Sequence, residues 1–207
     1  MTERRDKPPG TAGGAAGNVA NGHGNGGSNG DADAPLVAQA QRELPYRTTA
    51  YEALMQRHQG LLYGVCRRLL NSDADAEDVC QDVMFKVFGA LKRFEGRSSF
   101  KTWMLRIATN TCANVLDKRR RAQEVTAAWS AEMADQATSH IATDSFDLTT
   151  LLERLSPEER QILTLRYVAD LSLQEIAEVC QLGLSAAKMR LYRATDQLRA
   201  LANSDED

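Results

Sequence analysis

The sequence predicts an all-α protein: two small helical domains joined by a flexible linker, with a disordered N-terminal extension. Three observations carry that expectation. Apolar residues recur at spacings of three and four from Tyr51 onward, the period of a helix with one buried face. Helix-start signatures stand at Ser72, Ser156 and Ser172, each followed three positions later by an acidic residue. A Gly/Ala/Asn-rich stretch at the start and a polar stretch over 122–147 set the two helical blocks apart.

At 207 residues the chain has room for one or two domains. Its formal net charge is -3, so a nucleic-acid partner would have to be met by local patches. Charge is segregated by sign: acidic over 73–82 and at Asp205 to Asp207, basic over 92–121 and 188–199. Cys66, Cys80, Cys112 and Cys180 sit inside apolar helical patterns without CxxC spacing. They read as small buried hydrophobes in a reducing compartment, and a zinc site completed by His23, His58 or His140 lacks ligand spacing, so no metal is expected. No run reaches the length of a membrane span, and no apolar stretch follows the N-terminal basic residues. Membrane insertion is therefore not expected, and a cytoplasmic location is.

Residues 1–46 hold almost nothing large to bury and are expected to be disordered, with no function assigned to them. The first domain is expected over 47–121. Tyr51, Leu54, Met55, Leu61, Leu62, Val65 and Leu69 mark a first helix to Leu70, which Asn71, Ser72 and Asp73 break and restart. Ser72 with Asp75 resembles a capping box, Asp standing where Glu or Gln is usual. The next helix, over 73–94, buries Ala76, Val79, Cys80, Val83, Val87 and Leu91. Its other face shows Asp78, Gln81, Asp82 and Phe85, an acidic stripe with one aromatic. That stripe suits a basic partner helix, and it equally fits an ordinary solvated face.

Gly96 interrupts the pattern, and the loop Glu95 to Ser99, with Arg97 and Ser98, has small residues and hydroxyls suited to close approach by a backbone or an extruded base. A plain turn explains the same residues. From Ser99, Phe100, Met104, Ile107, Ala108, Thr111 and Val115 form an apolar stripe. Trp103, Arg106, Asn110 and Asn114 form a second stripe that ends in Lys118, Arg119, Arg120 and Arg121. Aromatic faces stack on unpaired bases for about 1–3 kcal/mol each, amides reach base edges and cations hold phosphates. The alternative is a core tryptophan and a solvated helix end.

The stretch 122–147 reads as a linker. As a relaxed coil it spans about 28 Å, and drawn straight about 85 Å. The second domain is expected over 148–203, followed by an acidic tail at 204–207. Ser156-Pro157-Glu158-Glu159 places an N-cap, a first-turn proline and a capping-box Glu in order. Ser172-Leu173-Gln174-Glu175 opens a short helix, Gly183 is expected to supply a turn, Ser185 to cap again, and a third helix follows. This is helix-turn-helix grammar. Ser185, Lys188, Tyr192 and Arg193 are left to face a major groove, although a helical hairpin with exposed cations has the same pattern.

Together the blocks DAEDVCQDVMFKVF, FEGRSSFKTWMLRIATNTCANVLDKRRR and LSPEERQILTLRYVADLSLQEIAEVCQLGLSAAKMRLYRATDQL resemble regions two and four of the extracytoplasmic-function (ECF) sigma factors, a group of the bacterial sigma-70 family. The resemblance covers about 48–121 and 148–202. It implies a transcription initiation factor and not an enzyme, with no catalytic residue and no cofactor. Its implied partners are core RNA polymerase, promoter DNA as duplex and as melted non-template strand, and an anti-sigma protein. Polymerase binding is implied for Asp78, Gln81, Asp82 and Phe85. Minus-ten contacts are implied for Arg97, Ser98, Ser99, Trp103, Arg106, Asn110, Lys118, Arg119 and Arg120. Minus-thirty-five contacts are implied for Ser185, Lys188, Arg190, Tyr192 and Arg193. Ala186, Ala187 and Met189 depart from common family residues, so base readout there is expected to rest on few side chains or on DNA shape. The competing reading is a stand-alone helix-turn-helix regulator with an N-terminal sensory half.

Overall fold

The computed structural model describes residues 29–130, 151–152 and 154–204. Its elements are α1 (Asn29–Glu43), α2 (Thr49–Leu70), α3 (Asp73–Ala90), a 3-10 turn (Leu91–Arg93), α4 (Phe100–Ser130), α5 (Pro157–Tyr167), α6 (Leu173–Cys180) and α7 (Leu184–Ser204). Among the described residues there is no strand.

The expectation of disorder to residue 46 fails for its last part, where α1 forms. Low overall apolar content suggested a chain with nothing to bury, yet Val37, Ala40 and Leu44 make a narrow stripe that is buried. A charged anchor adds to it. Asp33 is 1% exposed, and its carboxylate accepts from Arg57 Nη1 at 2.6 Å and meets His58 Nε2 at 2.7 Å on α2. Residues 1–28 lie outside the described residues.

Helices α2, α3 and α4 form a bundle on which α1 lies. Leu54, Leu62 and Val65 from α2, Val83 and Val87 from α3, and Met104, Leu105 and Ala108 from α4 are fully buried. Each such Leu or Val contributes about 1.5–3 kcal/mol by leaving water. The predicted stripe of α4 is present, with Phe100, Met104, Ala108 and Thr111 buried and Ile107 and Val115 half-buried. Asn71 ends α2 in the left-handed region at φ 51, its N–H bonded to the Arg67 carbonyl. Half of the capping box at Ser72 forms: Ser72 Oγ accepts from Asp75 N at 3.3 Å. The Asp75 carboxylate instead pairs with Arg119 on α4.

In the second half both serine boxes close as expected. Ser156 Oγ accepts from Glu159 N at 3.3 Å while Ser156 N donates to Glu159 Oε2 at 3.0 Å. Ser172 and Glu175 repeat the exchange at 3.3 and 2.9 Å. The turn after α6 differs from expectation. Gln181, not Gly183, takes the left-handed conformation, at φ 55. Leu182 N reaches back to Ala177 O and Gln181 N to Glu178 O, the paired bonds of a Schellman stop. Ser185 does not cap α7, because the helix has already begun at Leu184, with Ala187 N bonded to Gly183 O. Helix α4 also overruns its expected end at 121, helped by the Arg120–Glu124 pair one turn apart at 2.9 Å.

The two halves share one apolar core. Helix α6 lies against the start of α4: Thr102 Oγ1 donates to Glu175 Oε1 at 3.0 Å and Lys101 Nζ to Ala169 O at 3.2 Å. No helix among the described residues is long and apolar enough to cross a membrane.

Candidate polymerase and nucleic-acid surfaces

The acidic face of α3 is built by helical periodicity alone. Val79, Cys80, Val83 and Val87 take the buried side, which leaves Asp78, Gln81, Asp82 and Phe85 exposed together. With Asp75 and Val115 they line a shallow recess of about 350 Å³. Phe85 is 76% exposed, an apolar ring left in water among carboxylates. A surface of that kind gains by meeting a partner that carries both cations and apolar groups.

The second surface runs from the Glu95–Ser99 loop along α4. Gly96 stands at φ 69, a conformation that a Cβ would strain. Ser99 caps α4, its Oγ accepting from Thr102 N at 3.1 Å. Arg97 is exposed and paired with Glu95, and Ser98 and Ser99 are half-buried. Arg106 and Asn110 are exposed one turn apart. Trp103 is only half-buried and belongs to both sides: its ring centroid lies 4.8 Å from Phe94 and 5.9 Å from Phe100, so it closes the core while keeping an outward edge. Sequence spacing had set Trp103 apart from the core stripe, and the aromatic cluster joins it back. Lys118 and Arg120 are exposed. Arg119 is turned inward, held by Asp75 and by Leu70 O at 3.2 Å.

On α7, Ala187 and Ala194 are buried and Ser185, Lys188, Tyr192 and Arg193 are exposed. Tyr192 is 63% exposed. Arg190 lies about 200° around the helix from Lys188, at about 100° per residue. It is half-buried, and its charge acts on Cys180 at the end of α6. The structure therefore brings Ser185, Lys188 and Tyr192 within about 60° of one another, leaves Arg193 exposed on the flank and turns Arg190 toward the packed side.

The cysteines are buried except Cys180, which is half-buried. A hydrogen bond from Cys112 and burial push the Cys66 thiol up, and a bond from Cys66 and burial push Cys80 up. Burial raises Cys180 to about 11. Among the described residues no group of His, Cys, Asp or Glu has the arrangement of a metal site.

An acidic and apolar helix face, an aromatic and cationic helix flank, and a helix-turn-helix stand on the shared core of one all-α protein. Residues 54–122 match the family described as Sigma-70 region 2, and residues 145–198 match Sigma-70, region 4. RNA polymerase sigma-H factor of Pseudomonas aeruginosa is 31% identical, over 81% of this chain and 92% of that protein. The ECF RNA polymerase sigma-E factor of Haemophilus influenzae is 31% identical, over 72% and 85%. Among solved structures, CnrH in complex with the cytosolic domain of CnrY superposes with a TM-score of 0.65 at 27% identity, over 84% of this chain and 99% of that one. The chain belongs to the sigma-70 family, in its ECF group. It is a non-enzymatic transcription initiation factor.

Proposed function

We propose that this chain docks on core RNA polymerase through the α3 face and directs the enzyme to promoters by two DNA contacts. The first is minus-ten capture by the Glu95–Ser99 loop with Trp103, Arg106 and Asn110. The second is minus-thirty-five reading by the exposed face of α7. The observation that carries the reading is the segregation of surface. Asp78, Asp82 and Phe85 stand on one helix, and the loop with Arg106 and Asn110 stands on another element of the same bundle. DNA would be repelled by the first and drawn to the second. Lys118 and Arg120 hold the phosphate backbone, while Arg119 acts first as a brace between α4 and α3.

Strand opening follows from differential binding. A base taken from the duplex into the loop and stacked on aromatic surface stabilises the melted state; equal affinity for both states would open nothing. The closed body sets a condition. A globular chain of this length has a radius of gyration of about 17 Å, whereas elements two duplex turns apart are separated by about 68 Å. Contact with both requires the halves to part. The chain between Ser130 and Leu151, drawn straight, allows about 70 Å. Polymerase has to supply the energy of that separation, so the free protein binds duplex promoter poorly. A further element of the proposal is an anti-sigma polypeptide that holds the closed form; what supports it is that the similar protein CnrH is solved in complex with another polypeptide, the cytosolic domain of CnrY. Action on the promoter places the protein with the nucleoid.

The test is equilibrium binding of the purified protein to core polymerase and to promoter fragments, with and without polymerase. Nanomolar core binding that Asp82→Arg abolishes, together with promoter selection only in the complex, is expected. Tight sequence-specific duplex binding by the free protein would overturn the proposal in favour of a stand-alone regulator.

A further inference from the structure

We propose that α1 forms the second wall of the minus-ten pocket, and that Gln41 is a positioning residue that holds the base-capture loop in its receiving shape. The inference rests on the assignment of that loop to base capture and extends it to an element that neither family match covers, since the first match begins at residue 54.

A cavity of about 270 Å³ lies between α1 and the loop, with Ala34, Val37 and Gln41 on one side and Glu95, Gly96 and Ser98 on the other. That is near the lower end of small-ligand pockets, about 300 Å³, and suits one planar ring. Ser98 and Glu95 put a hydroxyl and a carboxylate where the edge of a base would be read. The loop is clamped at both ends. At its C-terminal end Ser99 caps α4. At its N-terminal end the Gln41 amide donates twice, to Leu91 O at 3.0 Å and to Phe94 O at 2.8 Å.

A carboxamide nitrogen has two N–H groups and is matched to two convergent carbonyls. Phe94 is the residue before the loop, and its ring lies against Trp103. One amide thus fixes both the entry of the loop and the backing of the aromatic surface. Helix α1 is itself held by Asp33 on Arg57 and His58, so Gln41 acts from a fixed support.

The experiment uses the full chain bound to core polymerase and the non-template strand of a promoter mapped by that complex. An abasic site is moved through the minus-ten region one position at a time, for the native protein and for Gln41→Glu, which keeps the shape and removes both donors. Native protein should lose about tenfold in strand affinity at the captured position, as expected for one stacked base. Gln41→Glu should bind the intact strand about tenfold more weakly and show almost no additional abasic loss. Core affinity reports folding. Should Gln41→Glu fail to bind core, Ala34→Phe decides: it changes an exposed residue on the cavity wall, and it should remove the abasic penalty while core binding stays native. A full abasic penalty in the variants that bind core would overturn the role of α1. No abasic penalty at any position in the native protein would instead overturn base capture by the loop.

Discussion

Thr102 and Glu175 meet across 3.0 Å, so one hydrogen bond joins the first turn of α4 to the first turn of α6. Each partner has a second duty. Thr102 Oγ1 is also 2.8 Å from Ser99 Oγ at the end of the Glu95–Ser99 loop, and the other oxygen of Glu175 closes the capping box with Ser172. The contact between the two halves is thus built from the groups that start α4 and α6. Thr102→Val should weaken the closed form by about 1 kcal/mol, the usual net value of such a bond. Fluorescence transfer between dyes on α3 and α7 should show a longer mean distance in the variant; an unchanged distance distribution would show that apolar contact alone holds the halves.

The same contact has a pH dependence. Burial raises the Glu175 carboxyl, but bonds from the Ser172 backbone and hydroxyl and from Thr102, with the charge of Lys101, outweigh it and leave it below 4.5. A carboxyl depressed in the folded state contributes stability above its unfolded value, and that contribution disappears as pH falls through the folded one. Titration from pH 7 to below 4.5 should therefore lower the free energy of unfolding, read by chemical denaturation, and Glu175→Gln should flatten the part of the response below 4.5.

Asp82→Arg should reduce affinity for core polymerase at least tenfold, because a cation replaces an exposed anion on the proposed docking face. The helix content and melting temperature should stay native, since Asp82 contributes nothing to the core. Calorimetric titration with core polymerase reads the change directly.

Asn110→Ala should lower open-complex formation more than polymerase binding. Asn110 is the cleaner probe of the flank, because Trp103 also packs on Phe94 and Phe100 and its removal would damage the bundle. Permanganate reactivity of promoter thymines reports the opening. Equal loss of opening and of polymerase binding would indicate a folding defect.

Asp33→Ala should cost about 2 kcal/mol of stability, as a buried partner of His58 and Arg57 is removed. Chemical denaturation measures it. A native midpoint would show that α1 is not part of the folded unit.

Much of this was legible in the sequence, and the reasons differ by element. Ser156 and Ser172 announce their helices because capping is local, set by residues three apart. The faces of α3 and α4 follow from the 3.6-residue period, which alone decides that Asp82 looks outward and Val83 inward. Helix α1 was missed because its stability is not local. Its stripe is narrow, and its anchor is an Asp whose partners lie more than twenty residues away. The inward turn of Arg119 was hidden for the same reason: a run of four cations looks uniform until the tertiary fold places Asp75 beside one of them. Gln181 in place of Gly183 at the turn shows that a Schellman stop, with two backbone bonds behind it, overrides residue preference.

The most direct measurement is in vitro transcription with purified core polymerase on genomic fragments, with RNA 5′ ends mapped in the presence and absence of this protein. The account predicts new start sites that depend on the native chain, are lost with Asp82→Arg and are weakened with Asn110→Ala. If the start sites are the same whether or not the protein is added, the assigned surfaces do not do what is claimed for them.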